Sequence, residues 1–138
     1  MGLVYLTRKE AFNAAHKLHR TEWSDEENLR FFGKCSNPNW HGHNYTLLIT
    51  VKGTPDPETG YVINLKTLSQ LIRAKVLNDL DHKNLNLDVE WMKGYMPSTE
   101  ILAMRIWERL KDGVREMGAE LHSVKIFETE NNSAEYFG

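Results

Sequence analysis

Apolar and polar residues alternate along two stretches of the chain, and this alternation predicts two β-strands. In the first, residues 3–16 with the sequence LVYLTRKEAFNAAH, every second side chain falls on one face, which carries Leu6, Arg8, Glu10, Phe12, Ala14 and His16. In the second, HGHNYTLLITVKG, the shared face carries His41, His43, Tyr45, Leu47, Ile49 and Val51. The polar segment between them, residues 17–40, is predicted to be a long loop, which in a compact domain is usually functional or disordered.

Two later stretches have apolar residues at helical spacing. The first helix is predicted from about Asn64, as its N-cap, to about Leu80, with an apolar stripe of Leu65, Leu68, Ile72, Val76 and Leu80. The second begins with Ser98 as N-cap and ends at Gly118. Its stripe consists of Ala103, Trp107, Leu110, Val114 and Met117, all interpreted as core residues.

The end of the chain, LHSVKIFETENNSAEYF, predicts two short strands around a turn at Asn131 and Asn132. The resulting order, β-β-α-α-β-β, indicates an α+β fold with both helices on one face of an antiparallel sheet. Neither a repeat nor a linker interrupts the sequence, so residues 1–138 are predicted to form a single domain. A sheet of this kind leaves strand edges unpaired, and we therefore expect oligomerisation.

The composition narrows the classes of protein and partner. Hydrophobic residues make up 41% and charged residues 26% of the chain, as in ordinary globular proteins. The net charge of −2 gives no reason to expect a nucleic-acid partner, and no stretch is apolar enough for a membrane partner. The chain has one cysteine, which cannot form an internal disulfide, so we expect a reducing, cytoplasmic location.

Histidines at the ends of the first two strands suggest a metal site. His41 and His43 point to the same side of their strand, and an antiparallel neighbour could add His16 as a third ligand. Three histidines leave one zinc coordination position open, which is the catalytic form of a zinc site. Two alternatives remain open here: polar histidines at a loop edge, or a closed structural site with Cys35 as the fourth ligand.

Two further positions carry candidate chemistry. Asp81 and His82 follow the first predicted helix, where they could form a catalytic pair or simply a helix-terminating aspartate and a solvated histidine. Glu128 shares a strand face with apolar residues, where a carboxylate needs a partner. It could pair with a lysine or arginine, or bind a ligand through a planar pair of donors, such as the amide edge of an aminopyrimidine. His19 and His122 are assigned no functional role.

Taken together, six motifs resemble the 6-pyruvoyltetrahydropterin synthase family: FNAAH, DEENLRFFGKC, HGHNY, LDHKNLN, STE and ETENN. The resemblance covers nearly the whole chain. It implies the tunnelling fold, or T-fold, in which a four-stranded antiparallel sheet carries two helices on one face. It also implies oligomers in which three subunits close a barrel and two trimers stack as a homohexamer, with active sites between subunits.

The resemblance further implies an activity and a set of site residues. The activity is that of a zinc-dependent lyase, which eliminates triphosphate from 7,8-dihydroneopterin triphosphate and yields 6-pyruvoyltetrahydropterin, a step of tetrahydrobiopterin biosynthesis. One zinc ion per subunit would be bound by His16, His41 and His43. The catalytic set would be Cys35 as the proton-abstracting thiolate together with Asp81 and His82. The pterin ring would be held by Glu128, Thr99 and Glu100.

Two alternatives to this activity are retained. One is a 6-carboxy-5,6,7,8-tetrahydropterin synthase of queuosine biosynthesis, which releases acetaldehyde and triphosphate; the five residues between Cys35 and His41 favour the pyruvoyl product instead. The other is a non-catalytic, zinc-containing pterin-binding module. The cations that would meet the triphosphate are to be found among Lys17, Arg20, Lys34 and Lys83, with or without Mg²⁺. Trp40 is bulkier than the residue expected before the H-x-H pair.

Overall fold

The computed structural model, which describes residues 2–138, contains one mixed β-sheet. Its strands are β1 (Val4–His16), β2 (His41–Gly53), β3 (Lys83–Asn84), β4 (Glu120–Phe127) and β5 (Ser133–Tyr136), in the spatial order β3-β1-β2-β4-β5. The four longer strands are antiparallel and correspond to the four predicted from the sequence. The two-residue strand β3 was not predicted, and it pairs in parallel with the last part of β1.

The helices confirm the main predictions and add local detail. The helices are α1 (Asp25–Phe32), α2 (Leu65–Ile72), α3 (Asn78–Leu80) and α4 (Thr99–Glu116). The side chain of Asn64 caps α2 and that of Ser98 caps α4, each accepting a backbone N–H bond, as predicted. A π-helical turn, Arg73–Leu77, joins α2 to α3, so the predicted first helix runs to Leu80 with one widened turn.

The prediction of a long loop over residues 17–40 is wrong, because this segment contains α1 and a 3₁₀ turn, Gly33–Ser36. Helix α1 begins at Asp25 and is capped by Ser24, whose hydroxyl accepts a hydrogen bond from the backbone N–H of Glu27. The fully buried Asn28 then ties α1 to the preceding chain, since its amide bonds both the N–H and the C=O of Arg20. These polar contacts replace the apolar periodicity on which a helix prediction depends.

The core lies between the sheet and the helices α2 and α4, which pack on the same face. On the two long strands it contains the predicted apolar residues from Phe12 and Tyr45 onwards, and Leu68, Ile72, Val76 and Leu80 are fully buried below them. The predicted stripe on α4 was incomplete: Leu102 and Ile106 are fully buried, whereas Trp107 and Met117 only pack against the edge of the core.

No helix within residues 2–138 is both long and apolar enough to cross a lipid bilayer. Leu65, predicted on the α2 stripe, is 40% exposed because it lies in the first turn, at the rim of the sheet.

Candidate active site

The register of β1 and β2 gathers three imidazoles at one end of the sheet. His16 lies opposite His41, and Ala14 lies opposite His43, so all three histidines meet on the core face. Their ring centroids are 4.6–5.1 Å apart, and one ligand nitrogen from each lies within 4.8 Å of the other two. The residues that the structure describes therefore include a histidine group that could hold a metal ion.

The three nitrogens that converge have no other partner. His16 Nε2, His41 Nδ1 and His43 Nε2 are buried and accept or donate no hydrogen bond within residues 2–138. Buried polar atoms are nearly always hydrogen-bonded, so three such atoms at one point require a partner of another kind. His16 Nδ1 donates to the Pro97 carbonyl at 2.8 Å, which fixes the tautomer that leaves Nε2 with a free lone pair.

The lowered pKa values of His16 and His41 favour binding of a metal ion over binding of a proton. Burial lowers the pKa of His16, although the Pro97 carbonyl opposes this effect. Burial also lowers the pKa of His41, and the neighbouring His43 adds to the lowering. A metal ion binds the neutral imidazole, so a site that disfavours protonation is prepared for a metal at neutral pH.

Glu128 lies beside this cluster, where the chain leaves β4. Its Oε2 accepts a hydrogen bond of 2.8 Å from the hydroxyl of Thr99, and its Oε1 lies 3.6 Å from His43 Nε2, too far for a hydrogen bond. No lysine or arginine among the described residues pairs with it, so the predicted alternative of a structural ion pair is wrong. Glu100, the neighbour of Thr99 in the first turn of α4, is exposed.

A cleft of ≈ 680 Å³ opens next to Glu128 and His43. Besides these two residues it is lined by Lys9, Gly42, Asn44, Thr46, Phe127, Thr129 and Glu130. Asn44, Thr46 and Phe127 alternate with core residues of their strands, so this cleft opens on the sheet face opposite the imidazole rings. Glu128 and His43 therefore lie at the boundary between the cleft and the histidine cluster.

Cys35 lies in the 3₁₀ turn Gly33–Ser36 and is half-buried. Its carbonyl accepts a backbone bond of 2.7 Å from Leu18, two residues after His16, which ties the turn to the end of β1. The sulfur is not among the ligand atoms that lie within 4.8 Å of one another, so a closed site with four protein ligands gains no support. Burial raises the pKa of Tyr45, a core residue below the cluster, and the nearby Glu128 and Cys35 add smaller contributions in the same direction.

Asp81 and His82 form a pair, but one chain does not place this pair in the histidine cluster. His82 Nδ1 lies 3.1 Å from Asp81 Oδ1, and the backbone N–H of Asn13 bonds the same oxygen at 2.9 Å, which lowers the pKa of Asp81. The side chain of Asp81 is 45% exposed and that of His82 is 78% exposed. Asp81 lines a separate cleft of ≈ 530 Å³ with Glu10, Ala11, Arg73, Leu77 and Asn78.

Sequence reasoning missed two groups that position the site. Pro97 orients His16 through its carbonyl, and the backbone of Asn13 holds both members of the pair, since its C=O also accepts the His82 N–H at 2.6 Å. These contacts use main-chain atoms, so no residue type reveals them. His122, assigned no role, packs edge-on against Tyr5 and Phe137; His19 is half-buried beside the loop.

Comparison with known proteins gives a consistent result. The family profile described as 6-pyruvoyl tetrahydropterin synthase matches residues 5–138. The 6-pyruvoyl tetrahydrobiopterin synthase of Homo sapiens is 44% identical over 133 residues, which is 96% of this chain and 90% of that protein. The 6-carboxy-5,6,7,8-tetrahydropterin synthase of Synechocystis is 32% identical over 144 residues, 99% of this chain and 94% of that protein. The solved 6-pyruvoyl tetrahydropterin synthase of Caenorhabditis elegans superposes with a TM-score of 0.92 at 39% identity, covering 100% of this chain and 97% of that one.

Replacing His41 by alanine should remove metal binding. Loss of one of three protein ligands should weaken affinity more than the roughly 10–100-fold cost of losing a supporting contact. Metal content per chain, measured by inductively coupled plasma mass spectrometry after dialysis, should fall close to zero. His122→Ala, which removes a histidine outside the cluster, is the matched control and should retain the metal; equal retention in both variants would contradict the assignment.

Metal-free protein should lose stability as the solution becomes acidic. Folding lowers the pKa values of His16 and His41 below their usual 6.5. Below pH 6.5 the unfolded chain therefore binds protons at these positions that the folded chain does not bind. Stability from this source is complete above pH 6.5 and is lost as the pH falls towards the folded-state values. Thermal unfolding of metal-free protein from pH 8 to pH 5 should show this slope. The double variant His16→Asn/His41→Asn should flatten it, and an unchanged slope would refute the explanation.

Proposed function

The chain belongs to the 6-pyruvoyl tetrahydropterin synthase family, and from that premise we propose that it is a lyase acting on 7,8-dihydroneopterin triphosphate. The reaction would release triphosphate and yield 6-pyruvoyltetrahydropterin through an internal redox rearrangement of the side chain. The observation that carries this proposal is the convergence of three buried, partnerless imidazole nitrogens beside the carboxylate of Glu128. Residues 1–138 would act as one domain.

The metal would be zinc, one ion per chain, held by His16, His41 and His43. Neutral imidazoles suit zinc, and three of them leave a coordination position for the substrate. When bound, zinc supplies a Lewis acid that makes a C–H bond next to the substrate's side-chain oxygens more acidic. The protein's part is to hold the three nitrogens on two paired strands and to exclude competing hydrogen bonds from them.

The pterin ring would be recognised by Glu128. Thr99 occupies one carboxylate oxygen with a bond of 2.8 Å, which fixes the plane of the carboxylate. The other oxygen, 3.6 Å from His43, has no hydrogen-bond donor within residues 2–138 and can accept from a ring N–H and an exocyclic amine. Recognition at this position would place the substrate's side chain towards the histidines. Glu100 would add a contact from the first turn of α4.

Cys35 would be the base that removes the proton. The thiolate is the reactive form of cysteine, and the backbone bond from Leu18 to the Cys35 carbonyl ties its 3₁₀ turn to the chain two residues after His16. A residue with this role has to remain a free thiol, so we also propose a reducing, cytoplasmic setting. Its separation from the group of ligand nitrogens supports a catalytic rather than a structural assignment.

Asp81 and His82 would relay protons at a site shared between subunits. In one chain the pair is largely exposed at the outer edge of β1, away from the cleft beside Glu128. β3 pairs with that edge only at Ala14 and Ala15, and Asn13 is bonded to Asp81 and His82. Within residues 2–138 no strand pairs with the earlier part of this edge, so a second chain has free backbone groups to bond. We infer a homohexamer in which a neighbouring subunit brings its Asp81 and His82 to the cluster.

The pyruvoyl product is preferred to the carboxy product. The human relative named for the pyruvoyl compound is more similar, at 44% identity, than the Synechocystis relative named for the carboxy compound, at 32%. The interval of five residues from Cys35 to His41 points the same way. A pterin-binding module without activity is the remaining alternative, and the experiments below distinguish the three.

Cys35→Ala should abolish turnover without releasing the metal. Removing the base should lower kcat by about 100–10,000-fold, the usual contribution of general acid–base catalysis. The wild-type protein, incubated anaerobically with 7,8-dihydroneopterin triphosphate, should give the mass of the pyruvoyl product and free triphosphate; the variant should keep its zinc content. The carboxy product with acetaldehyde would select the other branch, and unchanged substrate would favour the binding module.

Mixing two inactive variants should restore activity if sites are shared. In hexamers co-assembled from Cys35→Ala and His82→Ala chains, about a quarter of randomly formed sites would combine an intact Cys35 with an intact His82 from its neighbour. Activity of the mixed assembly, measured after separation by two affinity tags, should approach that fraction of the wild-type value. Hexamers mixed from wild-type and Cys35→Ala chains serve as the control for assembly. No recovery from the two variants would show that each chain forms its own site.

A further inference from the structure

Trp40 adopts a backbone conformation that a bulky residue rarely occupies. Within residues 2–138 only two non-glycine residues have positive φ, Trp40 at 68° and His82 at 60°. For a large side chain this left-handed conformation is strained, and such strain persists mainly at functional sites, where the surroundings enforce it. His82 already belongs to the proposed catalytic set. Trp40, directly before the ligand His41, has no role in the reaction described so far.

The indole ring of Trp40 contacts the ammonium group of Lys17. The ammonium nitrogen of Lys17 lies 5.4 Å from the ring centroid, and both residues are half-buried. Lys17 directly follows His16, and Trp40 directly precedes His41, the two ligands that face each other at the last position of the β1–β2 ladder. The pair Lys17–Trp40 therefore sits one residue beyond two of the three metal ligands.

The position of Lys17 is fixed, and its charge is not neutralised. Its backbone N–H donates to Asn86 Oδ1 at 3.0 Å, and its C=O accepts from Asn86 Nδ2 at 2.9 Å. No carboxylate in the part of the chain that the structure describes lies within 4.0 Å of its ammonium group. Lys17 therefore offers a positive charge without a carboxylate partner, one residue after His16, and an anion that reached both Lys17 and a metal ion held by the histidines would be attracted by both charges.

We propose that Lys17 and Trp40 form a polyphosphate-binding pair at the rim of the histidine cluster. The ring face of Trp40 holds the ammonium group of Lys17 by a cation–π interaction, and the ammonium bonds the phosphate oxygens of the ligand. The assignment of the natural ligand, the triphosphate ester of dihydroneopterin, rests on the proposed function. The binding of polyphosphate itself does not depend on that function.

The other cations near the site are less suited to this role. Arg20 is paired with Glu22 at 2.7 Å, so its charge is already neutralised. Lys34 and Lys83 are exposed, Lys34 on the 3₁₀ turn and Lys83 on β3 beside the Asp81–His82 pair. Among these four cations, only Lys17 combines a backbone held by Asn86, partial burial of the residue and a position directly after a candidate metal ligand in the sequence.

The strain at Trp40 gives the proposal a distinctive signature. Trp40→Gly removes the strained backbone, because glycine adopts positive φ without a steric cost. The variant should keep its melting temperature or gain a little, yet it should bind polyphosphate less tightly because Lys17 is no longer held. A purely structural tryptophan would show the opposite, a loss of stability with unchanged binding.

The test is calorimetric titration of the zinc-containing full chain with sodium triphosphate and, separately, with 7,8-dihydroneopterin, which lacks phosphate. Lys17→Gln should weaken triphosphate binding by about 10–100-fold, as expected for a charged hydrogen bond. Trp40→Gly should weaken it by about 3–10-fold. Lys17→Arg should retain most of the affinity, and every variant should bind dihydroneopterin like wild type.

Lys66→Gln, at an exposed position on α2, is the matched control and should bind triphosphate normally. Wild-type affinity in both Lys17→Gln and Trp40→Gly, or a loss in Lys34→Gln instead, would overturn the proposal. The proposal would also be overturned if titration with triphosphate removed zinc from wild type and from Lys17→Gln alike, because the triphosphate would then be binding the metal and not Lys17. If wild type binds triphosphate but neither binds nor converts the pterin, the proposed function fails while this pair stands.

Discussion

The antiparallel register of β1 and β2 is the constraint on which the rest of the site depends. The two 13-residue strands pair without interruption from Val4 opposite Gly53 to His16 opposite His41. Because side chains alternate between faces, a slip of one residue would turn the apolar face outward and separate the histidines. The burial of the apolar residues on these strands, from Phe12 on β1 to Val51 on β2, stabilises this register, and the register fixes the positions of the three histidines.

The last residue of β1 and the two residues after it connect this ladder to the other candidate site residues. His16 supplies a ligand nitrogen, Lys17 supplies a fixed cation, and the N–H of Leu18 bonds the carbonyl of Cys35. Helix α1, anchored by the buried amide of Asn28, completes the loop that returns to His41. The segment between β1 and β2, which the sequence predicts to be a long loop, thus places Cys35, Lys17 and His41 relative to one another.

Much of this could be predicted from the sequence, and the omissions have a common physical cause. Alternation located β1 and β2, the caps Asn64 and Ser98 located two helices, and H-x-H located the cluster, because each pattern is written in side chains. Helix α1, the bond from His16 to Pro97 and the hold of Asn13 on Asp81 were missed. They depend on buried amide contacts or on main-chain atoms, which every residue shares. The roles given to Cys35, Asp81 and His82 remain predictions.

The division of the site between buried and exposed groups follows from what each group must do. An imidazole binds a metal only in its neutral form, and burial on the core face lowers the pKa of His16 and His41. The same burial leaves three imidazole nitrogens without a hydrogen-bond partner within residues 2–138. The proposed proton relay, Asp81 and His82, is instead exposed to solvent, and the backbone N–H of Asn13 lowers the pKa of Asp81 by bonding its carboxylate. β3 pairs with the outer edge of β1 only at Ala14 and Ala15. If the rest of this edge forms an interface, as we propose, assembly would extend the sheet and bring Asp81 and His82 to the histidines of a neighbouring chain.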